Sequence, residues 1–201
     1  MLGTIIFDFY GVLVKPASMT RALHNLLKEK GIEKEYAEVR ANYAKYSLGL
    51  WNREKFLASL GINKKIERKL LEKIKFEKGA KGLLKKLSKN YTLFLLSNAP
   101  SYWASYTNKK FSLTKYFNKI FISAELKMKK PNMKLYRYVD SFEKGKKLFI
   151  EDKYENLAPV KKLNWLTCWI KNKVYPKIDE VDFIINNILQ VEEVIKKCDL
   201  L

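Results

Sequence analysis

The sequence predicts an α/β fold built on a parallel, doubly wound sheet, with a small helical bundle inserted after the first strand. Three observations predict it. From residue 79 onward, apolar runs that read as strands alternate with helical patterns, which is how a parallel sheet is written in sequence. Residues 16–76 instead carry about four helical patterns and no strand. Four short apolar runs, Ile5-Ile6-Phe7, Leu93-Phe94-Leu95-Leu96, Phe121-Ile122 and Leu148-Phe149-Ile150, each end in or lead to a polar signal: Asp8, Ser97-Asn98, Lys130-Pro131 and Glu151-Asp152.

The elements follow in order. Residues 4–9 form a mostly apolar strand, β-branched at Thr4, Ile5 and Ile6, which suits a central position in a parallel sheet. Pro16 and Ser18 open a helix with Ala22, Leu23, Leu26 and Leu27 on one face, and Gly31 stops it. A second helix carries Tyr36, Val39, Tyr43 and Tyr46 and stops near Gly49. Asn52 caps a third, with Phe56, Leu57 and Leu60 on its face. A fourth runs from about Lys64 to Lys75 with Ile66, Leu70, Leu71 and Ile74 inward.

The alternating half then begins. A helix carries Leu83, Leu84 and Leu87, and a strand runs through Tyr91–Leu96. Ser101–Lys109 reads as helix, Lys119–Ile122 as strand, and Pro131 as the first residue of a helix. Lys147–Ile150 is a strand, Tyr154–Leu163 a helix closed at Asn164, and Leu166–Ile170 a strand. Asp182–Ile185 reads as a short edge strand before a last helix that ends at Cys198.

Composition bounds the function. A chain of 201 residues, 47% hydrophobic, can bury a sizeable core and an inserted subdomain. No apolar stretch approaches the roughly 18 residues that span a bilayer. The first residues run straight into a strand with no signal-peptide pattern, so the expected location is the cytoplasm, with no membrane partner. The two cysteines, Cys168 and Cys198, lack metal-ligand spacing and read as reduced structural thiols. His24 is the one histidine, which excludes a multi-histidine metal site. Forty Lys+Arg against 21 Asp+Glu give a net charge of +19. The lysines are spread over every helix, which reads as a solvated surface that attracts small anions and not as a specific nucleic-acid interface. Oligomeric state is not written in these features.

Strand ends of a parallel sheet converge on one crevice, where ligands bind. There Asp8 can act as a nucleophile, with Gly11 giving the tight turn behind it. Ser97, Asn98 and the backbone N–H groups beside them can hold phosphoryl oxygens, and Lys130 can neutralise developing charge. Glu151 and Asp152 are costly neighbours unless a hard cation neutralises them, and Mg²⁺ takes one or two carboxylates together with substrate oxygens. Read singly, each signal also fits a turn, a helix cap or a basic loop. The four in series point to an enzyme acting on an anionic substrate, a phosphate above all.

The ordered set Asp8-Phe9-Tyr10-Gly11-Val12, Ser97-Asn98, Lys130-Pro131 and Glu151-Asp152 resembles the haloacid dehalogenase-like hydrolase superfamily, in its helical-cap subgroup, over the whole chain. The resemblance implies a Rossmann-like three-layer core of residues 1–15 and 78–201 with residues 16–77 as a helical cap. It implies Asp8 as nucleophile, Ser97 and Lys130 holding the phosphate, and Mg²⁺ on Asp8, Glu151, Asp152 and the Tyr10 carbonyl. The expected activity is that of a Mg²⁺-dependent phosphatase acting on a small phosphorylated metabolite through an aspartyl-phosphate.

One position departs from the pattern. Family phosphatases place a second aspartate, the proton donor to the leaving group, where this chain has Tyr10. Tyrosine is a weaker acid, and losing such help costs about 10²–10⁴-fold, so the expected enzyme is slow. The 2-haloacid dehalogenases of the superfamily share Asp-x-Tyr-Gly and use no metal, but they lack an acidic pair like Glu151-Asp152. The alternatives to a phosphatase are therefore such a metal-free dehalogenase, or a weakly active or non-catalytic binding protein.

Overall fold

The computed structural model describes residues 2–171 and 181–198. Six strands form one parallel sheet: β1 (Leu2–Phe7), β4 (Thr92–Ser97), β5 (Lys119–Ile122), β6 (Lys146–Glu151), β7 (Leu166–Ile170) and β8 (Phe183–Ile185). Their order is β5-β4-β1-β6-β7-β8, so β1 lies at the centre between β4 and β6. A central parallel strand is covered on both faces and needs a continuous apolar run. Ile5, Ile6 and Phe7 are accordingly inaccessible to solvent. Successive residues point to opposite faces. Ile6 joins one core layer with Phe94, Leu96 and Phe149, while Ile5 and Phe7 join the other with Leu93 and Leu95. This is the α/β Rossmann-like arrangement that the sequence predicts.

Helices α5 (Ala80–Leu87), α6 (Ser101–Phe111), α8 (Met133–Asp140) and α10 (Val191–Cys198) lie between or after the strands, with the short turns α7 (Ser123–Leu126) and α9 (Tyr154–Leu157). Pro131 precedes α8 without being part of it. Asn132 caps that helix instead, its side chain accepting from the Lys134 N–H at 2.8 Å. The helix expected at Tyr154–Leu163 is α-helical only to Leu157. From Ala158 to Leu163 it tightens to 3₁₀ around Pro159, which has no N–H to donate. Asn164 ends it in the left-handed conformation, φ +57°.

Between β1 and α5 come α1 (Met19–Glu29), α2 (Tyr36–Ser47), α3 (Arg53–Ser59) and α4 (Lys64–Glu72). Ser18, Asn52 and Asn63 cap α1, α3 and α4 through their side-chain oxygens. The expectation of no strand in residues 16–76 is corrected at its carboxyl end, by Lys75–Phe76. Val14–Lys15 (β2) pairs antiparallel with Lys75–Phe76 (β3), so the two connections to the sheet run side by side. Four residues give no usable period, which is why the sequence pattern missed them; α4 also ends three residues early, at Glu72, to let β3 form. His24 is buried and bonds the Lys34 carbonyl at 3.0 Å, a packing role. Cys168 and Cys198 are buried and not joined in a disulfide. No helix among the described residues is long and apolar enough to cross a membrane. Residues 1, 172–180 and 199–201, which fall in the core expected from the sequence, lie outside the described residues.

Candidate functional site

At the carboxyl ends of β1, β4 and β6 a cavity of about 440 Å³ opens. The strand order reverses about β1, so this is the crevice expected of such a sheet. Asp8 is the first residue past β1, and its N–H is tied to the Ile150 carbonyl at 2.9 Å. Ser97 ends β4 and Glu151 ends β6. Lys130 arrives from the loop before α8.

The buried Lys130 ammonium lies 2.8 Å from Asp8 Oδ1 and 2.6 Å from Glu151 Oε2. Glu151 is held on every side. Its Oε1 accepts from the Asp152 and Lys153 N–H groups, each at 3.0 Å, and its Oε2 also accepts from Asn156 Nδ2 at 2.9 Å. Asn98 fixes the backbone of Lys130 from two sides, donating to its carbonyl at 3.0 Å and accepting from its N–H at 2.9 Å. Tyr43 on α2 donates to the Asn98 carbonyl at 3.2 Å.

Carboxylate oxygens of Asp8, Glu151 and Asp152 all lie within 4.8 Å of one another, and all three residues are buried. Lys130 pairs with two of these acids, Asp8 and Glu151. Burial pushes the Asp8 carboxyl up to about 6, and Glu151 adds to this while Lys130 and Lys153 oppose it. Burial likewise raises Glu151, against the pull of Lys130. Lys130 itself stays protonated: burial disfavours its charge, but Asp8 and Glu151 outweigh that.

Gly11 has φ +88°, and a Cβ there would stand 2.5 Å from Asp152 Oδ2. Glycine thus supplies both the left-handed turn and the room for Asp152. The Ser97 hydroxyl is buried with no partner, although a buried unpaired hydroxyl costs about 1–3 kcal/mol. The Tyr10 hydroxyl is also buried and unpaired; burial first, then Tyr43 and Asp8, push it well above its ordinary value, so it keeps its proton.

The structure therefore brings together Asp8, Tyr10, Gly11, Ser97, Asn98, Lys130, Glu151 and Asp152. Sequence reasoning did not foresee Tyr43 as a cavity residue, since its helical spacing read only as a packing stripe. Nor does the sequence assign Asn156, which follows the acidic pair, its part in holding Glu151. Arg40 of α2 also lines the cavity.

The sequence profile of the haloacid dehalogenase-like hydrolases matches residues 5–170. No curated protein matches the chain by sequence. Among solved structures, the HAD-hydrolase YfnB of Bacillus subtilis, bound to magnesium, superposes with a TM-score of 0.71 at 20% identity, over 96% of this chain and 98% of that one. A HAD family enzyme of Bacteroides thetaiotaomicron, in complex with magnesium and inorganic phosphate, gives 0.71 at 20% identity over 87% and 98%. The L-2-haloacid dehalogenase of Xanthobacter autotrophicus, with chloropropionic acid covalently bound, gives 0.68 at 12% identity over 98% and 99%. At these identities the likeness is one of fold.

Proposed function

The chain belongs to the haloacid dehalogenase-like hydrolase family, and from that premise we propose that it is a magnesium-dependent phosphatase acting on a small phosphorylated metabolite. The observation that carries this reading is the trio of buried carboxylates, Asp8, Glu151 and Asp152, whose oxygens converge to within 4.8 Å of one another. Three carboxylates converging in a low-dielectric site repel one another. An oxygen-liganded divalent cation relieves that repulsion. The donor set is all oxygen, as such an ion requires.

Asp8 and Asp152 would hold the ion, with Glu151 engaged behind them in fixing Lys130. When bound, it would supply charge neutralisation between Asp8 and the phosphate oxygens. The rest is the work of this chain's own groups. The Asp8 carboxylate, ionised above about pH 6, attacks phosphorus as the bond to the leaving oxygen breaks. Water then hydrolyses the aspartyl-phosphate and restores Asp8. Lys130 holds Asp8 in place and faces the transferring oxygens. The unpaired Ser97 hydroxyl has the chemistry to donate to one of them.

Residues 16–77 serve as a cap over a core of residues 1–15 and 78–201 in this reading. Arg40 and Tyr43 of α2 line the cavity from that segment, and Arg40 has no carboxylate partner among the described residues. Tyr10 is the weak point. Its high affinity for its proton makes it a poor acid toward a departing alkoxide. Good leaving groups, aryl or acyl phosphates, are the substrates of choice. The metal-free dehalogenase reading is disfavoured by Glu151 and Asp152 standing against Asp8. The reading is tested by assaying phosphate release from aryl and acyl phosphates with and without Mg²⁺, where Asp8→Asn abolishes turnover.

A further inference from the structure

A second cavity, of about 360 Å³, shares no lining residue with the catalytic one. It lies where the end of α2 and the start of α3 meet α6 and α7, and its lining includes Tyr46, Gly49, Trp51, Arg53, Tyr102 and Lys127. Among the described residues no carboxylate lines it.

Its chemistry is aromatic and cationic. Trp51 is half-buried, with the ammonium groups of Lys45 and Lys55 at 4.7 and 5.2 Å from its ring centroid. Tyr102 is 37% exposed, and the Arg53 guanidinium carbon sits 3.4 Å from its ring centroid. Arg53 spends Nε and Nη2 on the buried Glu67, at 2.7 and 2.6 Å. A guanidinium has five N–H donors in all, so others remain. Lys127 donates to the Gly49 carbonyl, and an ammonium has three protons.

Tyr46 is the independent observation. It is 4% exposed, stacked on Phe56 with centroids 4.4 Å apart, and its buried hydroxyl has no partner. Burial and Glu67 raise it, so it stays a donor. A buried donor without an acceptor costs about 1–3 kcal/mol and calls for an explanation. An acceptor entering this cavity supplies one.

We propose that this cavity is a second, non-catalytic binding site for a small aromatic anion. The ring packs against Trp51 and Tyr102, while the carboxylate or phosphate group meets Arg53, Lys127 and the Tyr46 hydroxyl. The inference does not depend on the catalytic reading.

The test uses tryptophan fluorescence. Of the chain's 4 Trp, Trp103, Trp165 and Trp169 are 0%, 3% and 2% exposed, so Trp51 is the reporter open to solvent. The probe is phenylphosphonate, a ring with an anion that is not a phosphoester. The expected result is a saturable emission change that inorganic phosphate produces at least about tenfold more weakly, since stacking on aromatic side chains is worth about 1–3 kcal/mol. Trp51→Phe removes the signal, Lys127→Glu weakens binding by about tenfold or more, and Tyr46→Phe, which keeps the ring packing, weakens it several-fold. Circular dichroism confirms that each variant is folded. An absent or unsaturable change overturns the proposal. So does an affinity unaltered in both Lys127→Glu and Tyr46→Phe, which would place the probe in the catalytic cavity, and so does equal binding of inorganic phosphate.

Discussion

Replacing Asp8 with asparagine should stabilise the metal-free protein while destroying its activity. Asp8 is 7% exposed, and its carboxyl is raised from 3.8 to about 6 by burial and by Glu151, beyond what Lys130 and Lys153 restore. A shift of roughly two units corresponds to about 3 kcal/mol by which the folded site prefers a neutral group. The sign follows from linkage. The folded pKa lies above the unfolded one, so this preference contributes stability that is fully present below about pH 4. It is lost as pH rises through about 6. Asparagine is neutral throughout and escapes the loss. It keeps the shape of the site, and Lys130 keeps Glu151 as its ion partner. The two proteins should therefore match near pH 4. At pH 7.5 the variant should be more stable by about 3 kcal/mol, or about 6–12 °C in melting temperature for a chain of this size. The assay is thermal unfolding across this pH range in chelator, repeated with saturating Mg²⁺. The ion should raise the native protein and narrow the gap. A variant no more stable than the native protein at pH 7.5, or a gap of the same size at pH 4, would refute the argument that Asp8 is held ionised at a cost.

Other outcomes follow from the same geometry. Asp152→Ala should weaken Mg²⁺ binding by at least about tenfold in calorimetric titration, because it removes one of the three converging carboxylates; unaltered affinity would remove Asp152 from the metal site. Native turnover should be faster on aryl and acyl phosphates than on alkyl phosphates, and Tyr10→Asp should raise alkyl-phosphate turnover by about 10²-fold or more. Equal native rates on alkyl and aryl phosphates would show that another residue supplies the proton.

Much of this molecule was legible in its sequence because the signals were either long or obligatory. The buried parallel strands had to be apolar runs, and β5 and β7 fall on Lys119–Ile122 and Leu166–Ile170 as read. The polar residues that end those runs were visible because nothing in a core explains them. Gly11 was legible as a turn, but its second duty, leaving room for Asp152, depends on β6 arriving beside β1 and is not local. The pairing of Val14–Lys15 with Lys75–Phe76 was invisible for a related reason: two residues carry no period, and their partners are sixty residues apart. Pro131 misled because proline suits a first helical turn, while Asn132 offered the better cap. The roles of Tyr43 and Tyr46 could not be separated in sequence. Both sit on the apolar stripe of α2, yet one lines the cavity at Asp8 and the other a different one.

The central claim, phosphoryl transfer through Asp8 with Mg²⁺, is met most directly by measuring inorganic phosphate released from a panel of aryl, acyl and alkyl phosphates. The native protein and Asp8→Asn are compared, each with Mg²⁺ and with chelator. The account predicts turnover by the native protein with Mg²⁺ alone, strongest on acyl and aryl phosphates, and none from Asp8→Asn. Phosphate release that survives in Asp8→Asn or in chelator would contradict it, as would a native protein inert to every phosphate that frees halide from a 2-haloacid without metal.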